Sequence, residues 1–110
     1  MKKSSLYKGC LEPIILQLLK DNKRMYGFEI TQKVKALTKG ELNITEGALY
    51  PLLHRLEADG LLEAEFEIID NRTRKYYLLT KAGKKETRGS LKKVQEFVET
   101  LQIFFKPNIA

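Results

Sequence analysis

The sequence predicts a chain that is mainly α, with a small β wing and a long C-terminal helix. Three patterns carry that expectation. After Thr45, the residues Leu49, Leu52, Leu53 and Leu56 fall at i, i+3, i+4 and i+7, which is one apolar stripe of a helix. Leu62, Ala64, Phe66 and Ile68 then alternate with Glu63, Glu65 and Glu67, the two-residue period of a half-buried strand. Near the end, Leu91, Val94, Val98, Leu101 and Phe105 return to helical spacing, flanked by Phe97 and Phe104.

In chain order, Tyr7, Leu11, Ile14, Ile15, Leu18 and Leu19 lie on one helical face, and Pro13 is expected in or near the first turn, where a missing N–H costs little. DNKRM at 21–25 reads as a polar turn. Tyr26, Ile30, Val34 and Leu37 make a second stripe with Lys33, Lys35 and Lys39 on the exposed side. The segment 38–43 reads as a loop, with Asn43 and Ile44 forming a short first strand. The central helix follows, capped by the Thr45 side chain and stopped at Gly60, which tolerates the left-handed conformation. Pro51 removes the bond to the Gly47 carbonyl, so a bend or a loosened first turn is expected there. Asp70 and Asn71 centre a tight turn that sets Glu67 opposite Arg74, and Leu62 and Ala64 opposite Leu79 and Tyr77. Thr80 caps a last helix from Lys81 to about Phe105, roughly 37 Å at 1.5 Å per residue, which Pro107 ends.

A length of 110 residues suits one domain, and 43% hydrophobic with 31% charged residues excludes a disordered chain. The net charge of +6 favours a polyanionic partner, and most of the excess lies between Arg72 and Lys93. One cysteine, Cys10, permits no internal disulfide, and one Cys with one His, His54, builds no zinc site within a chain. No metal or other cofactor is expected. No stretch approaches the roughly 20 apolar residues of a membrane span, so no membrane partner is expected and the cytoplasm is the expected compartment. Enzyme signals are missing: there is no GxxxxGK[ST], HExxH or CxxC.

The stretch GALYPLLHRLEADGLL at 47–62, then RTRKYYLLTKAG at 72–83 and MYGFEI at 25–30, resembles the PadR family of winged helix-turn-helix transcriptional regulators, in the short form with a single C-terminal helix. The resemblance runs from about Leu6 to about Gly83. It implies a winged helix-turn-helix unit over 1–80, a dimerisation helix over 81–106 and a tail at 107–110. It further implies repression of nearby genes and release by a small-molecule effector of unknown identity. No other segment is left to cover the apolar stripe of the last helix, which points to a homodimer by helix packing and so to an inverted-repeat operator in double-stranded DNA; the alternative is that this helix folds back on Tyr7 to Leu19 within one monomer. In such a dimer the second helix of each unit enters the major groove, with half-sites about one DNA turn apart.

On this basis Thr45 starts the recognition helix, Gly47 lets the backbone approach phosphate, and Tyr50 offers its hydroxyl beside Pro51. His54, one turn on, reads base edges, and Arg55 flanks the face. In the wing, Arg72 at the tip is the freer DNA contact, Arg74 is expected to pair with Glu67 across the strands, and Lys75 completes the basic run. The recognition helix is itself poor in positive charge, so affinity must come mainly from the wing and the basic start of the last helix. Some short members take up flat aromatic compounds between the last helices, stacked on an aromatic side chain. This chain has no Trp and places Val94 at that position, so Val94, Phe97 and Val98 read as interface core together with Leu91, Leu101, Phe104 and Phe105. The alternative is a winged helix that binds protein through its apolar last helix and Glu-bearing strand.

Overall fold

The computed structural model describes residues 3–105. After a short helix α1 (Lys3–Tyr7) and one 3₁₀ turn (Lys8–Cys10) come α2 (Leu11–Asp21), β1 (Met25–Tyr26), α3 (Gly27–Leu37), α4 (Glu46–Ala58), β2 (Leu62–Ile69), β3 (Arg72–Leu79) and α5 (Lys81–Phe105). The fold is mainly helical with a three-stranded antiparallel sheet in the order β1-β3-β2. It is a winged helix, with α3 and α4 as the helix-turn-helix and β2–β3 as the wing. No helix among the described residues is long and apolar enough to cross a membrane.

The first predicted helix is in fact divided. Pro13 has no N–H to offer the Gly9 carbonyl and its ring crowds that group, so the chain takes a 3₁₀ turn and α2 starts afresh with Pro13 in its first turn. From there Ile15, Leu16 and Leu19 enter the core beside Ile30 and Val34 of α3 and Leu49, Leu53 and Leu56 of α4.

The expected first strand at Asn43 and Ile44 does not form. The free edge of β3 is taken instead by Met25 and Tyr26, in register with Tyr77 and Tyr76, and Met25 is buried. The loop before α4 sends Leu42 and Ile44 into the core as side chains only. Thr38 braces it, accepting from the Leu42 N–H at 3.0 Å while donating to the Val34 carbonyl at 2.8 Å.

Two helices stop in the same way. At the end of α3, Lys39 (φ 52°) lets its own N–H reach Ala36 and the Gly40 N–H reach Lys35. At the end of α4, Gly60 (φ 77°) does the same, with bonds to Glu57 from Gly60 and to Leu56 from Leu61. Both are Schellman closures that satisfy the last carbonyls. The Thr45 hydroxyl accepts from the Ala48 N–H at 3.2 Å and opens α4, and the helix continues through Pro51. Asp70 and Asn71, both at positive φ, make the wing turn, which fits the primed turns that match strand twist. The register is the predicted one, with Leu62 opposite Leu79, Ala64 opposite Tyr77 and Glu67 opposite Arg74.

The long α5 has two different halves. Its first half docks on the body through small residues, Gly83, Thr87 and Ser90, which are its buried positions. A Cβ at Gly83 would collide with the Leu61 carbonyl oxygen, so only glycine permits this approach. Thr80 caps the helix by accepting from the Gly83 N–H at 3.0 Å, as expected. Beyond Val94 the apolar residues stand in the open: Phe97 is 55%, Ile103 71% and Phe104 70% exposed. The expected helix end at 106, the stop at Pro107 and the tail at 107–110 lie outside the described residues.

The two caps give a paired prediction. Gly60→Ala puts a Cβ into a left-handed position and should lower stability by roughly 1–2 kcal/mol. Lys39→Gly relieves the same strain and should act in the opposite direction by less, because glycine also adds freedom to the unfolded chain. Urea midpoints that move apart at unchanged m-value are the expected result.

Candidate nucleic-acid interface

The rotation of α4 is set from inside. Leu49, Leu53 and Leu56 are fully buried at 0% exposure, which turns Gly47, Tyr50, Pro51, His54 and Ala58 outward. Tyr50 is 36% exposed and lies over the first residue of α3. A Cβ on Gly27 would stand 2.6 Å from the Tyr50 hydroxyl oxygen, so the missing side chain is what admits the ring. His54 follows on the same face, its ring centroid 6.5 Å from that of Tyr50 and tilted by 41°. Arg55 is turned back to the body by Glu12 at 2.8 Å, with Asp59 at 3.7 Å.

The wing has two unlike faces, because neighbouring residues of a strand point opposite ways. Tyr26 and Tyr76 meet edge to face on the outer one, with centroids 5.5 Å apart. The Arg74 guanidinium lies 4.2 Å over the Tyr26 ring, and that of Arg24 lies 4.0 Å over Tyr76. The expected ion pair between Arg74 and Glu67 is not made, although the two residues are in register. Arg24 takes Glu67 at 2.6 Å and Glu65 at 3.0 Å, leaving Arg74 to the aromatic surface. The bond to Glu67 holds the Arg24 guanidinium even more firmly protonated than usual.

Lys75 points to the inner face. Its ammonium pairs with Glu57 of α4 at 2.9 Å, which raises its pKa, and sits 4.9 Å from the Tyr77 ring centroid. It therefore ties the wing to α4, on the side of the strand opposite Arg72 and Arg74. Arg72 is exposed at the wing shoulder and makes no ion pair among the described residues. On α5, Lys81, Lys84, Lys85, Arg88, Lys92 and Lys93 are all exposed, and Lys84 and Arg88 share a groove with Lys20 and Lys23.

Tyr50, the Gly27 backbone, Tyr26 and Arg74 thus form one connected surface from α4 to the wing. Two of its supports were missed by sequence reasoning. Arg24 sat in a stretch read as a turn, and only its two-residue offset from Tyr26 could have placed it on the outer face. Gly27 belonged to the MYGFEI stretch, but nothing local announced the ring that lies on it. Chemically, the surface offers a phenol, an imidazole and guanidinium groups, which suit phosphate oxygens and base edges. No cluster of metal-ligating side chains occurs among the described residues.

Comparison with known proteins gives concordant matches. Residues 15–89 match the family described as transcriptional regulator PadR-like. An uncharacterized protein of Lysinibacillus sphaericus is 34% identical over 107 residues, covering 96% of this chain and 97% of that one. Transcriptional regulator Rv3488 of Mycobacterium tuberculosis is 43% identical over 70 residues, 64% of this chain and 62% of its own. Among solved structures, a transcriptional regulator from Clostridium thermocellum superposes with a TM-score of 0.78 at 29% identity, covering 94% of this chain and 97% of that one. A PadR-like transcriptional regulator from Bacillus cereus gives 0.78 at 27% identity, covering 93% and 97%. The family, the Mycobacterium tuberculosis relative and both solved structures are described as transcriptional regulators, not as enzymes.

The contact between Gly27 and Tyr50 can be tested by a double-mutant cycle. Gly27→Ala should cost roughly 1–3 kcal/mol through overpacking. In a Tyr50→Ala background most of that cost should disappear, and additive losses in urea denaturation would refute the contact.

Proposed function

Because the chain belongs to the PadR-like family of transcriptional regulators, we propose that it binds double-stranded DNA as a homodimer at an inverted-repeat operator, represses nearby genes, and is released by a small-molecule effector. The observation that carries this reading is the outward pair Tyr50 and His54 on a helix locked by buried leucines, joined through Gly27 and Tyr26 to the basic wing. Under this reading α4 lies in the major groove with His54 at the base edges, and Thr45, Gly47, Pro51 and Arg55 border the same helix surface. Arg72 supplies a phosphate contact at the wing, with Arg74 beside Tyr26. Lys75 acts as a brace through Glu57.

The acids of β2 would repel DNA if left bare. Arg24 holds Glu65 and Glu67 and offsets one of their two charges, which lessens that repulsion, while Glu63 on the same face stays exposed, the feature that the protein-binding alternative would use. Surface energetics support the dimer. Leu91, Phe97, Val98, Leu101, Phe104 and Phe105 are exposed on α5, and large apolar side chains gathered on one exposed helix are characteristic of an interaction surface. Helix packing between two copies covers it, with Val94 at the edge nearest the body.

Selection of bound sequences from random DNA should yield an inverted repeat. Arg72→Ala should weaken binding to all sequences alike and lower the salt slope by about 0.9. His54→Ala should instead change the preferred bases. If neither variant alters binding in a salt titration, the orientation proposed for α4 and the wing is wrong. Leu101→Asp should convert a dimer to a monomer in sedimentation equilibrium, and a wild-type chain that sediments as a monomer refutes the homodimer.

A further inference from the structure

The wing carries an apolar face further than the body can cover it. Leu62, Ala64, Phe66 and Ile68 point to one side of β2, and along that side burial falls away: Leu62 is in the core, Ala64 is half-buried, Phe66 is 64% and Ile68 78% exposed. The other side of the same strand carries Glu63, Glu65 and Glu67, as a face in water should. Across the ladder Lys75 stands opposite Phe66 and Thr73 opposite Ile68, so these four side chains share one face. Lys75 fixes where that face looks. Its ammonium pairs with Glu57 of α4 at 2.9 Å and stands 5.9 Å from the Phe66 ring centroid. Glu57 follows His54 by less than one helical turn. Phe66 and Ile68 therefore lie on the side of the wing turned toward α4, with Phe66 level with that ion pair and Ile68 nearer the tip.

What fits such a face has to be narrow. Two side chains offer far less surface than the roughly 1,000 Å² that a stable protein interface buries. They are of the size of the apolar wedges that enter the minor groove of DNA and prise a base step apart. Charge agrees with that partner, because the exposed Arg72 begins β3 at the same hairpin tip. Reach agrees as well. A strand of eight residues at about 3.4 Å each spans roughly 27 Å, more than the half turn of about 17 Å from a major groove to the neighbouring minor groove.

We propose that Phe66 and Ile68 form a minor-groove wedge: with α4 in the major groove, Ile68 enters the neighbouring minor groove at one base step, and Phe66 packs on the deoxyribose wall behind it. The inference rests on the DNA-binding reading above and adds to it a second source of sequence preference. A wedge meets least resistance at steps that unstack easily, TA and CA/TG. Bases beyond the reach of His54 are then selected by how readily they deform, without any hydrogen bond to their edges.

The full-length chain is bound to a duplex carrying the site selected from random DNA, with a donor and an acceptor dye at its ends and the fluorescent base aminopurine placed in turn at each flanking position. The wild type should bend the duplex by at least about 20° and raise the aminopurine signal at one step in each half-site. Both side chains are exposed, so Ile68→Ala and Phe66→Ala should keep the wild-type circular dichroism spectrum. Ile68→Ala should abolish the signal, reduce the bend and weaken binding by about tenfold, and Phe66→Ala should act in the same direction by less. Ile68→Lys should steepen the salt slope by about 0.9 and still lose the bend, which separates a wedge from simple attraction. Changing the signalling step from TA to GC should weaken the wild type by about tenfold and leave Ile68→Ala nearly unaffected. A wild type that binds its site but leaves it straight and silent overturns the wedge alone, as does Ile68→Ala matching the wild type in bend and affinity. If Ile68→Ala lowers the sedimenting mass without DNA, the patch joins two copies and the wedge is wrong. A wild type that prefers no sequence overturns the wedge and the DNA-binding reading together.

Discussion

The constraint on which the structure depends is the complete burial of three leucines on α4. Leu49, Leu53 and Leu56 have no exposed surface, and each such side chain contributes roughly 1.5–3 kcal/mol on leaving water. A helix residue is turned by about 100° from its neighbour, so a shift of one position would expose the whole stripe. The leucines therefore fix the rotation of the helix as well as its attachment. Everything displayed on the other side follows from that rotation, including the ring of Tyr50 over Gly27 and the imidazole of His54 one turn on. The caps fix the length of the helix in the same sense. Thr45 opens it with its hydroxyl and Gly60 closes it, so the outward face can neither slide nor lengthen.

Most of this frame was legible in the sequence because its signals are local. The Leu spacing, the Thr45 and Thr80 caps, the Gly60 stop, the Asp70–Asn71 turn and the wing register depend on residues a few positions apart, and each appears in the structure. What could not be read there depends on contacts between distant segments. The strand at Met25–Tyr26 exists because β3 has an edge to fill, and two residues carry no period of their own. The Glu67–Arg74 pair failed for a similar reason. Register placed the two side chains together, but a third residue, Arg24, outcompeted Arg74 with two carboxylates and an aromatic ring at once.

The last helix shows the same limit more clearly. A search for apolar spacing finds Leu91 to Phe105, and those residues are the exposed ones. The half of α5 that packs within the chain does so through Gly83, Thr87 and Ser90, which have no hydrophobic signature. Small residues let helix backbones come close, and here the Leu61 carbonyl stands where the Gly83 Cβ would be. A hydrophobic pattern thus marked the surface that this chain leaves exposed, while the intramolecular contact was written in side-chain size.

Charge is distributed by a comparable division. A net charge of +6 suggests a uniformly basic chain, yet several cations are already engaged. Arg24 holds two glutamates, Arg55 holds Glu12, Lys75 holds Glu57 and Arg74 lies on a tyrosine. These exposed or half-exposed pairs contribute little to stability individually, so their main effect is on where unbalanced potential remains. It remains at Arg72 on the wing and along the first half of α5, where Lys81, Lys84, Lys85, Arg88, Lys92 and Lys93 are exposed. The outward face of α4 carries almost none of it. Under the proposed DNA-binding reading, such a surface separates two tasks: the helix presents hydrogen-bonding groups to base edges, and the flanking cations supply attraction that does not depend on sequence. Because the cations are not on the helix itself, attraction and discrimination can be altered by different substitutions.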